Sequence, residues 1–104
     1  MSDSSNHIAD MRMATYETLL RKWQTRINLV ANSTLDDTRN RHFNDSLQIL
    51  PMIPAQARTL YDLGSGGGFP GLVLAIKRPD LSIHLIESNT KKTNFLQTVA
   101  RELE

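Results

Sequence analysis

The chain has no cysteine, which excludes disulfides and thiolate metal sites and permits a reducing compartment. It also lacks a charge surplus of one sign, with 12 Lys and Arg against 11 Asp and Glu. No global basic field therefore announces a nucleic-acid partner, and any RNA contact has to be local. No run approaches the roughly 18 apolar residues of a membrane span. The opening MSDSSNHIAD has neither the basic region nor the apolar stretch of a secretory signal. His7, His42 and His84 are too scattered for metal-ligand spacing, so no metal is expected. Internal repeats and low-complexity runs are absent. What is left is a soluble, cytoplasmic chain of 104 residues, long enough for one compact core but short for a complete doubly wound enzyme.

Residues 1–7 read as a frayed terminus. From Ile8 onward, Ile8, Met11, Tyr16, Leu19, Leu20, Trp23, Ile27 and Val30 recur with helical periodicity and predict one long amphipathic helix. Asn32, Ser33 and Thr34 break it and offer caps. Leu35, Thr38, Phe43, Leu47 and Leu50 then predict a second helix ending at Pro51. The character changes at Arg58. Thr59 to Leu63 is short, apolar and followed at once by glycines, as in a buried strand. Pro70 suits a first helical turn and opens a helix of about two turns over Leu72 to Ile76. After the turn Arg78-Pro79-Asp80 comes a second strand, Leu81 to Ile86, ending on Glu87. Ser88, Asn89 or Thr90 can cap a last helix with the core stripe Phe95, Leu96, Val99 and Leu103.

This order predicts an α/β fold: N-terminal helices over 1–57, then a partial Rossmann-like cofactor-binding domain over 58–104. A strand–helix–strand unit of this length requires a parallel pair. Two parallel strands do not stand alone, so the chain is expected to be the N-terminal portion of a longer enzyme.

The run Asp62-Leu63-Gly64-Ser65-Gly66-Gly67-Gly68-Phe69-Pro70-Gly71 lies at the carboxyl end of the first strand, where open α/β sheets bind ligands. Its glycines permit positive φ and close approach of a ligand. An acid two positions before the first glycine would repel a pyrophosphate at a helix N-terminus, but it suits a cation. S-adenosylmethionine carries a sulfonium and an amino group and no phosphate, and Asp62 can hold that end directly or through water. Glu87, at the tip of the second strand, can accept hydrogen bonds from ribose hydroxyls. The expected cofactor residues are thus Asp62, Gly64, Ser65, Gly66, Gly68, Phe69 and Glu87. Two alternatives stay open. Gly66-x-Gly68-x-x-Gly71 also satisfies the dinucleotide fingerprint, which would make the chain a fragment of an NAD-type oxidoreductase. A non-catalytic RNA-binding module would need no cofactor loop at all. A Walker-type loop is excluded, because no Gly-Lys-Ser/Thr follows the glycines.

Three stretches resemble the bacterial small-subunit ribosomal RNA (guanine-N7)-methyltransferases, also called glucose-inhibited division protein B. The first comprises Leu20-x-x-Trp23, Ile27 to Val30 and Arg41-His42-x-x-Asp45-Ser46-Leu47; the second is the cofactor loop with its Phe69-Pro70-Gly71 ending. The third is Glu87 followed by Lys91-Lys92 and Phe95-Leu96. The resemblance covers nearly the whole chain. It implies methyl transfer from S-adenosylmethionine to N7 of a guanine in 16S rRNA of the small ribosomal subunit, by a cytoplasmic enzyme of Rossmann-like fold. It also implies a parent roughly twice this length, so the isolated chain need not be active. Guanine N7 has a lone pair and no proton, so no general base or nucleophile is named.

Arg39, Arg41 and His42 form a local basic cluster, and Lys91 and Lys92 sit where cations oppose the macrodipole of the last helix. Arg39, His42, Lys91 and Lys92 are candidate RNA contacts, but an exposed helix face or an ion pair with Asp45 is favoured for the first cluster and a solvated helix face for the lysines. Asn28 and Asp45 are polar groups beside apolar positions that capping or a ligand would equally account for. Trp23 reads as core, His84 as a packed strand residue.

Overall fold

The computed structural model describes residues 3–31, 35, 37 and 39–103. Helix α1 spans Asp3–Gln24. It starts before the expected frayed terminus ends and stops six residues short of Val30. Its buried face is Ala9, Met13, Tyr16, Leu20 and Gln24, spaced by three or four, as one side of a helix requires. Ile8 and Met11, which the sequence suggested for this stripe, point outward at 48% and 57% exposure. At 100° per residue they fall out of phase with Tyr16 and Leu20, and the small Ala9 takes the inward position. Tyr16 and Leu20 are fully buried, each worth about 1.5–3 kcal/mol of transfer free energy.

The helix ends because Gln24 turns its amide to the chain that follows. Its Oε1 accepts from the Leu29 and Val30 amides at 3.0 and 3.2 Å, and its Nε2 donates to the Val30 carbonyl at 2.8 Å. Three backbone groups that helix continuation would otherwise have satisfied are thereby paired. The proposed caps Asn32, Ser33 and Thr34, and Thr38, lie outside the described residues.

Instead of one second helix running to Pro51, the described residues from 39 to 52 form three short turns. A π-helical segment, Arg39–Phe43, runs into the single turn α2, Asn44–Leu47, and a 3₁₀ turn follows over Leu50–Met52. Only Phe43 and Ser46 are buried among residues 41–52, too small an apolar stripe to hold a long helix by packing. Pro51 sits inside the 3₁₀ turn, where its missing N–H has no partner to lose. The Ser46 hydroxyl donates back to the His42 carbonyl at 2.8 Å and ties the π segment to α2.

Strand β1, Thr59–Leu63, and strand β2, Ser82–Ile86, are parallel, with Asp62 opposite Leu85 and Leu63 opposite Ile86. Helix α3, Gly71–Lys77, crosses between them, and helix α4, Thr90–Leu103, follows β2. Phe95 and Val99 of α4 are fully buried and Leu96 nearly so. Asn89 caps α4, its Oδ1 accepting from the Lys92 amide at 3.1 Å.

Helix α3 packs on the face that carries Asp62 and Leu85. The opposite face presents Tyr61 at 63%, Leu63 at 75% and Ile86 at 47% exposure. Strand β1 is therefore buried on one side only, and its expected full burial is corrected: alternate side chains face opposite ways, and no described element covers the second face. His84 lies mid-strand on that exposed face, packed by stacking on its register partner Tyr61 at 4.9 Å.

One core joins both halves of the chain. Met13, Tyr16 and Leu20 of α1 meet Leu29, Phe43, Leu72, Val73 and Ile76, and Phe95, Leu96 and Val99 of α4. Trp23 lies edge-on to Phe95 at 5.7 Å, a core position as read from its spacing.

Candidate functional site

The glycine loop leaves β1 at Leu63 and is tied down from three directions. From the sheet, the Ile86 carbonyl accepts from the Gly64 and Ser65 amides at 2.7 and 3.2 Å, so the loop turns over the tip of β2. From α1, the Tyr16 hydroxyl donates to the Gly67 carbonyl at 2.5 Å. From the segment that Gln24 clips, Leu29 comes so close that a Cβ on Gly67 would lie 3.0 Å from its carbonyl oxygen. Gly64, Gly66 and Gly68 adopt positive φ of 71°, 53° and 96°, a region open to glycine at little cost and steep for other residues. Around Gly64 there is open space, with nothing within 4 Å of a built Cβ.

Both strand-tip acids bind this loop. Asp62 is 9% exposed, and its Oδ2 accepts from the Gly71 amide at 3.0 Å, at the start of α3. The Ser65 hydroxyl donates to the Asp62 carbonyl at 3.0 Å and closes the turn from below. Burial raises the Asp62 pKa, with the Gly71 amide and Ser65 hydroxyl pulling the other way. The charged form thus carries a desolvation penalty that these bonds only partly offset. Glu87 is the reverse case. Its Oε1 accepts from the Gly66 amide at 2.7 Å and its Oε2 from the Asn89 amide at 2.9 Å. The Asn89 and Gly66 amides hold its pKa below the usual carboxylate range.

The residues selected from sequence are therefore brought together: Asp62, Gly64, Ser65, Gly66, Gly68 and Glu87 form one continuous rim between the tips of β1 and β2. Phe69 leads away from the rim toward the N-terminal helices. Its ring lies 5.4 Å from Tyr16, 5.8 Å from Phe43 and 5.0 Å from His42, stacked on the last. The His42 pKa is lowered by burial and by Arg41, against an opposite pull from Asp45. Among the described side chains of the candidate RNA contacts, His42 is the one that reaches the loop, through Phe69. Lys91 and Lys92 sit in the first turn of α4, Lys91 exposed and Lys92 half-buried. Arg39 opens the π-helical segment; its side chain lies outside the described residues.

Sequence reasoning missed Tyr16, Gln24 and Gly71 as supports of the loop. A tyrosine on a buried helix face needs a partner for its hydroxyl, which was the available signal, but its acceptor lies 51 residues away. Among the described residues no three His, Cys, Asp or Glu gather as metal ligands, and no helix is long and apolar enough to cross a membrane.

Residues 9–104 match the profile of the family described as rRNA small subunit methyltransferase G (GidB). Among proteins carrying that name, the chain is 59% identical over 90 residues to one from Rhodospirillum centenum, covering 86% of this chain and 41% of the relative. Against the Parvibaculum lavamentivorans protein it is 52% identical over 93 residues, covering 86% and 41%. The Jannaschia sp. protein is 42% identical, covering 100% of this chain and 51% of the relative. The chain thus spans about half the length of the curated relatives it matches.

Proposed function

The chain belongs to the rRNA small subunit methyltransferase G (GidB) family, and from that premise we propose that it carries the S-adenosylmethionine half of a 16S rRNA (guanine-N7)-methyltransferase. Residues 58–104 supply the cofactor site and residues 1–57 the helical cap over it; the parent enzyme works in the cytoplasm on the small ribosomal subunit. The observation that carries this reading is the placement of the two acids. Asp62 and Glu87 each put a carboxylate oxygen on a loop amide, Gly71 and Gly66, so the N–H groups a pyrophosphate would need face negative charge instead. A ligand with a cationic amino-acid end and ribose hydroxyls suits such a rim, and a cation beside Asp62 offsets the penalty of its burial.

S-adenosylmethionine, when bound, supplies an electrophilic methyl on a sulfonium. The chain's part is to bind and orient. Asp62 would hold the amino-acid end and Glu87 would take ribose hydroxyls in exchange for the Gly66 amide, with the open space at Gly64 admitting close approach. The accepting N7 would offer a lone pair and lose no proton, so no side chain need act as base. Acceleration then comes from alignment and exclusion of water. Arg39, His42, Lys91 and Lys92 are the proposed RNA contacts.

Calorimetric titration of the chain with S-adenosylhomocysteine, beside NAD and beside an Asp62→Ala variant, tests the reading. S-adenosylhomocysteine is expected to bind and NAD not, with affinity at least tenfold weaker in Asp62→Ala. Preference for NAD would overturn the assignment.

A further inference from the structure

A recess of about 230 Å³ lies beside the cofactor loop, lined by Arg41, His42, Asp45, Ser46, Phe69 and Pro70. It is a shallow recess, open to solvent on its outer side. We propose that this recess seats the nucleotide that accepts the methyl, a guanine whose Watson–Crick edge is read by the Asp45 carboxylate. The inference rests on the methyltransferase reading above and names a specificity residue for it.

Three observations converge on this place. Location comes first: Phe69 and Pro70, which border the recess, follow directly in sequence on Gly68 of the cofactor loop. The second is an aromatic wall. The rings run from buried Tyr16 and Phe43 through Phe69 to half-exposed His42, each 5.0–5.8 Å from a neighbour. Of these rings Phe69 and His42 border the recess, and they are the ones on which a base can stack; Tyr16 and Phe43 hold them from behind. Third is Asp45 itself. It is exposed, it borders the recess, and its carboxylate has no hydrogen bond or ion pair with a described residue. Its position in the first turn of α2 places it on the same short segment as His42.

The chemistry selects guanine. A carboxylate offers two acceptors side by side, and guanine alone among the RNA bases presents two adjacent donors on its Watson–Crick edge, N1–H and the N2 amino group. Adenine presents an acceptor, N1, beside its amino group, and that lone pair would meet negative charge. N7 lies on the opposite edge of the purine, so a base held by Asp45 keeps its reacting nitrogen clear of the protein contact. Arg41, exposed at the rim, is placed for the attached phosphate.

The test is an amide NMR titration of the whole chain with the 5′-monophosphates of guanosine, inosine and adenosine. Guanosine monophosphate is expected to bind about tenfold more tightly than adenosine monophosphate. Inosine monophosphate, which lacks the N2 amino group, should fall between, and shifts should centre on His42 and Phe69. In Asp45→Asn, a well-dispersed spectrum shows that the fold is kept, and the preference for guanosine is expected to vanish while adenosine monophosphate binds as before. Equal affinities in the parent chain, no binding of guanosine monophosphate, shifts confined to Gly66 and Glu87, or a preference that survives Asp45→Asn would overturn the proposal. S-adenosylhomocysteine titrated into the same samples separates the two readings: binding without guanine preference sinks the guanine site alone, and loss of both sinks the methyltransferase reading as well.

Discussion

Gly71→Ala adds a single methyl group at the point where the candidate site joins the core. A Cβ there would overlap Leu85 Cδ2 and lie 2.7 Å from Asp62 Oδ2 and 3.2 Å from Asp62 Cβ. The leucine terminus can swing aside, but the Asp62 carboxylate cannot do so without leaving the Gly71 amide it holds at 3.0 Å. Overpacking a filled site costs about 1–3 kcal/mol, and loss of the hydrogen bond costs about 1 kcal/mol more. Against this, alanine is favoured over glycine in a helix by about 0.5–1 kcal/mol, a gain that applies because Gly71 begins α3. The penalties win, and a net loss of about 2 kcal/mol is expected. Urea unfolding should show a lower midpoint at an unchanged slope. S-adenosylhomocysteine affinity should fall with it, because Asp62 is displaced. The double variant Gly71→Ala/Leu85→Val, which relieves the leucine overlap but not the carboxylate, should recover stability only in part and affinity not at all. Equal or greater stability in Gly71→Ala would refute the reasoning, since the Asp62–Gly71 contact would then be dispensable.

Burial raises the Asp62 pKa above 3.8, and the Asn89 and Gly66 amides lower that of Glu87 below 4.5, so carboxyl NMR on acidification should show the two acids displaced from their ordinary values in opposite directions. By linkage, the stability contribution of Asp62 is fully present below 3.8 and lost as pH rises through its raised folded value; that of Glu87 is present above 4.5 and lost as pH falls through its lowered one. Asp62→Asn should therefore remove a stability gain seen on mild acidification, measured by urea midpoints across pH. Tyr16→Phe leaves the Gly67 carbonyl without its donor and should cost about 1–2 kcal/mol while weakening S-adenosylhomocysteine binding, checked by unfolding and calorimetry on one sample. Leu63→Lys, on the bare sheet face at 75% exposure, should change the stability of this chain by less than about 0.5 kcal/mol; a larger loss in thermal unfolding would show that the face is packed.

The elements that sequence reasoning located well are those governed by local chemistry. Strand β1 matches its expected bounds of Thr59 and Leu63, and α3 and α4 follow from Pro70, the Asn89 cap and the Phe95–Val99 stripe, because caps and periodicity act within a few residues. The rim was legible for the same reason: Asp62, the glycines and Glu87 sit at strand tips whose ends their own sequence marks. What escaped depends on distance along the chain. The end of α1 is decided by the Gln24 side chain meeting Leu29 and Val30, not by a breaker residue. The exposure of Ile8 and Met11 follows from which helix face meets Phe43 and Val73. The three short turns over 39–52 reflect how little of that stretch the core can bury. The open face of β1 depends on what covers the sheet, which no pattern within Thr59–Leu63 encodes.

The central claim is that the loop between the tips of β1 and β2 receives S-adenosylmethionine. Its most direct test is an amide NMR titration of the uniformly labelled chain with S-adenosylhomocysteine. The account predicts shifts at Gly64, Gly66, Gly67 and Gly68 and at Glu87 and Asn89, with the Gly66 amide leaving its bond to Glu87, and none of these with NAD. Saturable binding that leaves the loop amides unmoved and shifts instead the apolar recess around Ala75, Leu81 and Ala100 would contradict it.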